Sequence, residues 1–395
     1  MTTPVLPRKA HPAPAPPTAV PLPVRVVTAL VAGALAYGLV WSPLHANAHF
    51  VAKDYTWPWR AARVLLQGHD PYQVIQSTGP FPFSSPFFYP LPAALVSVPF
   101  APLPPERAGA LFFGVSTALL AFGVTRDGLW RLLVFTAAPF FMAAANTQWS
   151  PLLAAGALLP GLQWVAAAKP TIGLAAFSYR PSRWGIIGGA ILVAISFAVL
   201  PDWVAGWRAA IAQTPHHAPP ALRLRLGGFL LLLALCRWRT PEGRLLTTIA
   251  CVPQVLYFYD QFLLWLAPRT WRQMLALSAC SWLGVIGWWI FRPPTGSGVP
   301  AAAPFVMGFV YLPALVLVMR FRNEGTLPEA VARLASAIRR VARPRRTPAS
   351  ACRSGSAAPS WPSRPPQANG AVPACDARGR AATFFTTRRC CGPTA

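Results

Sequence analysis

Ionisable side chains are scarce in the apolar parts of this sequence, so the few found there call for a chemical reason. Asp54 directly follows Lys53 and is the first acidic residue of the chain. Lys169 interrupts the apolar stretch Trp164 to Phe177, and Asp260 closes the run that begins at Pro253. A carboxylate placed like Asp54 can take the proton of a hydroxyl as that hydroxyl attacks, or it can serve as a helix cap. A lysine deep in apolar sequence needs an anionic partner such as a phosphate, unless its long side chain snorkels to an interface. Asp260 has two readings, as a group lining a cavity and as a helix-end cap. Tyr89 and Gln148 carry groups that suit sugar hydroxyls, although aromatics at interfaces and polar side chains in turns also occur for structural reasons.

The elements that must position these groups are membrane helices. The chain is 54% hydrophobic and 11% charged, a balance that no water-soluble core of 395 residues absorbs. Crossing a hydrocarbon layer takes roughly 20 apolar residues per helix, and lipid leaves the backbone no partners but itself. Candidate spans run at 26–41, 108–124, 132–145, 151–178 with a break near Pro160-Gly161, 185–201, 224–236, 245–267, 273–291 and 303–319. The expectation is an all-α polytopic transmembrane bundle of about 8–11 spans. Residues 245–267 are too short for two passes, which leaves a re-entrant segment there as one solution.

The net charge of +25 does not point to nucleic acid, because the basic residues sit in turns and in the C-terminal tail, where the positive-inside rule places them. Arg8, Lys9 and Arg25 hold the N-terminus inside, so the segment 44–105 lies outside, and Arg126 with Arg131 marks the next inside turn. Residues 1–24 read as a disordered leader and 323–395 as a basic disordered tail around a transmembrane domain at 25–322. Ala46-Asn47-Ala48 after the first span imitates a signal-peptide cleavage site, and we read that span as uncleaved. The seven cysteines have no CxxC or Cys/His spacing, so neither a disulfide framework nor a zinc site is expected.

Within the outer segment, Asp54 to Gly68 has the pattern of an interfacial amphipathic helix, with Arg60, Arg63 and Gln67 on one face and Trp59, Ala62, Leu65 and Leu66 on the other. Asp54 precedes its start, where the helix N-terminus and Lys53 favour the ionised carboxylate. Asp70 before Pro71 reads as a turn aspartate. In the loop 202–225, Arg208, His216, His217, Arg223 and Arg225 are further candidates for holding phosphate.

Together these pieces resemble glycosyltransferase family 87, polyprenyl-phosphate-mannose-dependent mannosyltransferases of the membrane-embedded type-C fold. Asp54, Tyr55, Ala61, Ala62, Leu65, Leu66, Gly68 and Asp70-Pro71-Tyr72 resemble its opening motif. Phe88-Tyr89-Pro90-Leu91 through Pro104 resembles its Tyr-Pro-Pro segment, Asn146 to Pro151 its Gly-Gln-x-Asn turn, Ala168-Lys169-Pro170 its Lys-Pro motif, and Pro253 to Asp260 a later Pro…Tyr-Asp element. The likeness spans residues 26 to about 320. Leu91 stands where the family has a second proline, and Thr147 and Ser150 where it has Gly and Asn.

The resemblance implies an inner-membrane, multi-pass hexosyltransferase moving mannose or another hexose from a polyprenyl-phosphate donor to a lipid or glycan acceptor. It implies Asp54 as catalytic base and Lys53, Tyr89, Gln148, Lys169 and Asp260 as substrate-binding residues, with no cofactor, no obligatory metal and no nucleic-acid partner. The alternative is a transporter or lipid flippase, which would favour internal repeats; the sequence has no matching halves.

Overall fold

The computed structural model describes residues 20–46, 52–76, 78, 85–213, 217–294 and 298–324. His216, most of the expected leader and all of the tail beyond Glu324 lie outside them. Every regular element among the described residues is helical.

Helix α1, Leu22–Ala46, runs antiparallel to α3, Pro105–Val124. Their axes approach closely where Gly33 faces Gly114; a Cβ on Gly114 would lie 2.9 Å from the Gly33 carbonyl oxygen. Small residues at such a crossing let backbones meet, as helices in lipid do. Between them in sequence, α2 spans Thr56–Leu66. Later come α4 (Ser150–Leu158), α5 (Pro170–Tyr179), α6 (Arg183–Val199), α7 (Trp203–Ala212), α8 (Pro241–Cys251), α9 (Trp271–Phe291) and α10 (Pro300–Met319).

The chain is thus all-helical and carries several helices of membrane-crossing length, but fewer than expected. Among the described residues four helices, α1, α9, α10 and the one that continues α3 to Asp127, are long and apolar enough to span, and a fifth span arises if α6 and α7, bent by 95°, count as one. The bend falls at Leu200-Pro201, where proline disfavours helical geometry in the residue before it. The span 151–178 breaks at Pro160 as expected, and again at Pro170, into α4, a tightly wound 3₁₀ stretch Pro160–Ala168 and α5. Pro160 and Pro170 each lack the N–H that an uninterrupted helix needs. At about 2.0 Å per residue, the 3₁₀ stretch still rises about 18 Å. The expected span 245–267 breaks likewise: α8 stops at Cys251, an irregular stretch follows Pro253, and a 3₁₀ turn, Asp260–Leu266, returns.

Two hairpins result, each reversing in mid-molecule. The first has Pro160–Ala168 and α5 as its arms and Lys169 at its tip. The second has α8 and Asp260–Leu266 as its arms and Tyr259-Asp260 at its tip. Their bases are clamped together. Arg269 forms a two-pronged ion pair with Glu242, both bonds 3.0 Å, joining the two arms of the second hairpin. Arg244 donates to the carbonyls of Ser178 (2.9 Å) and Tyr179 (3.0 Å), tying that hairpin to the end of α5.

This end of the molecule is rich in arginine, and the arginines cover helix C-termini. Arg25 donates to Phe122 O at 2.8 Å near the end of α3, and Arg237 to Met319 O at 2.9 Å at the end of α10. The last carbonyls of a helix have no partner inside it and carry its negative dipole end, so a guanidinium satisfies both. The charge that the sequence assigns to orientation also closes helix ends.

Candidate active site

The opposite ends of these hairpins open into a cavity of about 510 Å³ whose lining includes Asp54, Tyr89, Gln148, Lys169, His217, Gln254, Tyr259 and Asp260. Five of the six residues singled out in the sequence line it. The sixth, Lys53, adjoins Asp54 in the turn Lys53–Tyr55 and is not among the residues that line the cavity.

Four chain reversals bring the groups together. Asp54 sits in a single 3₁₀ turn after α1, and its backbone N–H donates to Asn146 O at 3.3 Å. The second reversal, Asn146 to Trp149, carries Gln148 into α4; the third and fourth pieces of the floor are the two hairpin tips. Lys169 Nζ donates to Asp260 Oδ1 at 2.7 Å and to Gln148 Oε1 at 3.2 Å, and Gln148 Nε2 donates to Asp54 Oδ2. A continuous polar chain therefore runs Asp54, Gln148, Lys169, Asp260. Ser150 Oγ, donating to Tyr259 O at 2.7 Å, fastens the Gln148 reversal to the second tip.

Backbone strain marks the same place. The four non-glycine residues with positive φ among those described are Ala52 (50°), Lys53 (50°), Thr147 (48°) and Phe258 (67°). All lie within two residues of Asp54, Gln148 or Asp260. Left-handed geometry is costly for residues with a Cβ, above all the β-branched Thr147, and it persists only where the surroundings impose it. Part of that imposition comes from Gly109 of α3, whose missing side chain leaves room for the first two reversals; a Cβ there would lie 2.9 Å from Ala52 Cβ and 3.3 Å from Thr147 Cγ2.

The helix expected from Asp54 to Gly68 exists as α2, but Asp54 does not begin it. Its N-cap is Tyr55, with no side-chain cap bond, and the Asp54 carboxylate turns to Gln148. The expected apolar face is buried at Trp59 and Ala62, but Leu66 is 62% exposed, and burial extends beyond that face to Trp57, Ala61 and Val64. Two indoles anchor the helix: Trp57 Nε1 donates to Ser85 O at 3.2 Å and Trp59 Nε1 to Leu103 O at 3.2 Å. Asp70 accepts from Tyr72 N at 2.8 Å and caps the short helix Pro71–Val74.

Hydrogen bonds from three directions hold the wall that carries Tyr89. Trp57 reaches Ser85, Tyr72 Oη donates to Tyr89 O at 2.9 Å, and Trp207 Nε1 of α7 donates to Phe88 O at 3.0 Å. The Tyr89 ring stacks on Phe88 at 4.9 Å, and burial holds its phenol far above the ordinary range, with Asp54 and Asp260 adding to the effect. The Tyr89 hydroxyl is therefore a hydrogen-bond donor at any working pH.

Burial likewise raises Asp54, to about 6. Lys169 opposes that rise, Asp260 adds to it, and Lys53 and Gln148 oppose it. The ordinary value of 3.8 expected of a carboxylate beside a lysine and a helix N-terminus is not kept, because enclosure by protein costs the charge more than its partners return. Above pH 6 Asp54 is mostly a carboxylate poised to accept a proton.

Gln254, Tyr259, His217 and Trp207 line the cavity without having been marked for it, apart from His217 among the loop residues. Tyr259 lies under the Lys169 ammonium, 5.6 Å from nitrogen to ring centre, and Gln254 accepts from Gln261 (2.6 Å) and Tyr311 (2.9 Å). The glutamine lies just ahead of Tyr259-Asp260 in the irregular stretch, a polar residue in an apolar run, which was the available signal. Arg208, Arg223 and Arg225 are not among the lining residues. No family model, curated protein or solved structure matches the chain. The likeness to glycosyltransferase family 87 accordingly stands on the motifs quoted above.

Proposed function

We propose that the chain is an integral membrane glycosyltransferase that moves a hexose, mannose by resemblance, from a polyprenyl phosphate to a hydroxyl of a lipid or glycan acceptor on the extracytoplasmic face. The observation that carries the reading is the joining of Asp54, Gln148, Lys169 and Asp260 on the floor of one cavity, at the end of the hairpins opposite the Arg244 and Arg269 clamps. The motifs that resemble the family are far apart in sequence, and the fold collects four of them here.

The acceptor oxygen attacks the anomeric carbon as the bond from that carbon to the phosphate oxygen breaks. The electron pair leaves with the polyprenyl phosphate, and the hydroxyl proton passes to Asp54. Asp54 suits the proton because its ionised and protonated forms are close in energy near pH 6. Lys169 suits the leaving phosphate, whose negative charge grows as the bond breaks, so that an ammonium there binds the transition state more strongly than the donor. The N-terminus of α5, one residue beyond Lys169, adds the positive end of its dipole. Tyr89 and Gln254 supply hydrogen bonds of the kind sugar hydroxyls take.

A second reading, a lipid flippase or transporter, draws on the hairpin tips, since helices broken in mid-membrane build many transporter sites. One experiment separates the two. Purified protein in sealed liposomes is given radiolabelled polyprenyl-phosphate-mannose and a membrane lipid extract. Appearance of a glycosylated lipid supports transfer, movement of intact donor across the bilayer supports transport, and consumption of a nucleotide sugar alone overturns the donor assignment.

A further inference from the structure

Gln148 was singled out as a sugar ligand, but both ends of its amide are already engaged. Lys169 Nζ, 3.2 Å away, donates to Oε1, and Nε2 donates to Asp54 Oδ2. An ammonium has no acceptor and an ionised carboxylate no donor, so a flipped amide would set donor against donor and acceptor against acceptor. Only one orientation satisfies both neighbours. The backbone is fixed as well: Gln148 N donates to Ala143 O at 2.9 Å, Thr147 N to Ala144 O at 3.1 Å, and Asp54 N to Asn146 O at 3.3 Å. Gln148 is almost fully buried, at 1% exposure.

We propose that Gln148 is a positioning residue for the base: it ties Asp54 Oδ2, leaving Oδ1 for the acceptor hydroxyl, and Lys169 locks its amide in the orientation that does so. The cation that meets the donor phosphate thereby also sets the base. The inference rests on the glycosyl-transfer reading of Asp54. Among the described residues, the other charged or titratable groups around Asp54 are Lys53 on its own turn, Lys169 and Asp260 at the hairpin tips, and Tyr89, Tyr257, Tyr259 and His217.

The test is the pH dependence of turnover in wild type, Gln148→Met and Asp54→Asn. Methionine keeps the volume of glutamine and removes the N–H that favours the carboxylate. The acid limb of the Gln148→Met profile should move up by about one pH unit, with kcat down roughly 10- to 100-fold and donor KM unchanged. A raised KM with the acid limb in place would overturn the proposal and return Gln148 to sugar binding. Should Gln148→Met turn over too slowly, infrared difference titration against Asp54→Asn reads the Asp54 proton directly, and an unmoved titration overturns the proposal. Full activity of Asp54→Asn is a separate result: it removes the base reading, while the infrared titration still decides whether Gln148 holds Asp54.

Discussion

Lys169 and Asp260 meet at 2.7 Å although each stands at the tip of a different hairpin, ninety-one positions apart in the chain. Their side chains are 16% and 3% exposed. Removing one partner of such a pair strands the other charge, at a cost of about 3–5 kcal/mol, whereas removing both is far milder. Lys169→Met should therefore lower thermal stability sharply, and Lys169→Met with Asp260→Leu should recover most of it without recovering turnover. Melting of the three purified proteins checks this. A double variant no more stable than the single one would mean that the two tips are not coupled.

Gly109 predicts a different kind of failure. Gly109→Ala puts a methyl group against Ala52 and Thr147, and the Ala52 Cβ, fixed to its backbone, cannot rotate away. The helix α3 itself gains from alanine, by about 0.8–1.0 kcal/mol in propensity. The expected outcome is a protein that inserts normally and loses at least tenfold in turnover, because the turns bearing Asp54 and Gln148 are pushed from the cavity. Normal turnover in a correctly inserted Gly109→Ala protein would show that the two turns need not pack so closely.

Much of the site could be read before the fold, and the span count could not. Asp54, Tyr89, Gln148, Lys169 and Asp260 stood out because polar groups in apolar sequence need partners, and the cavity is where they find them. Hydropathy alone does not tell a span from the two arms of a hairpin, since both are apolar; Pro160, Pro170 and Pro253 were the marks, and 3₁₀ winding let short segments reach far. Nothing in the residue types announced left-handed backbone at Ala52, Lys53, Thr147 and Phe258, none of them glycine or asparagine. The helix α2 buries Trp59 and Ala62 as its pattern predicts, while Leu66 stays exposed and Trp57, whose indole nitrogen must find an acceptor, is buried as well.

Orientation is testable with single cysteines in a cysteine-free background. Gln76 lies just beyond the short helix that Asp70 caps, on the side of the Tyr89 wall, and Asp127 follows α3 close to the bond between Arg25 and Phe122. A membrane-impermeant thiol reagent should label Gln76→Cys on intact cells and Asp127→Cys only after permeabilisation. The reverse pattern would turn the cavity to the cytoplasm.

Asp54 carries the sharpest expectation, because activity and stability should move in opposite directions. As a base it must be ionised, so turnover should fall about tenfold per pH unit below the value near 6 to which burial raises it. Asp54→Asn is nearly isosteric and still accepts from Gln148, yet it cannot take the acceptor's proton, and it should lose roughly 10²- to 10⁴-fold in kcat. Stability runs the other way. A carboxyl whose folded pKa is raised above its unfolded value holds its proton better in the fold, so it favours folding at low pH and works against it as pH rises through 4 to 6. Asparagine carries no such charge. The melting temperature of Asp54→Asn should exceed that of wild type at pH 7.5, and the difference should vanish below about pH 3, where both states of the wild-type carboxyl hold the proton. Wild-type turnover by the asparagine variant would end the catalytic assignment, and equal melting temperatures at pH 7.5 would show that the carboxylate is not strained by its enclosure.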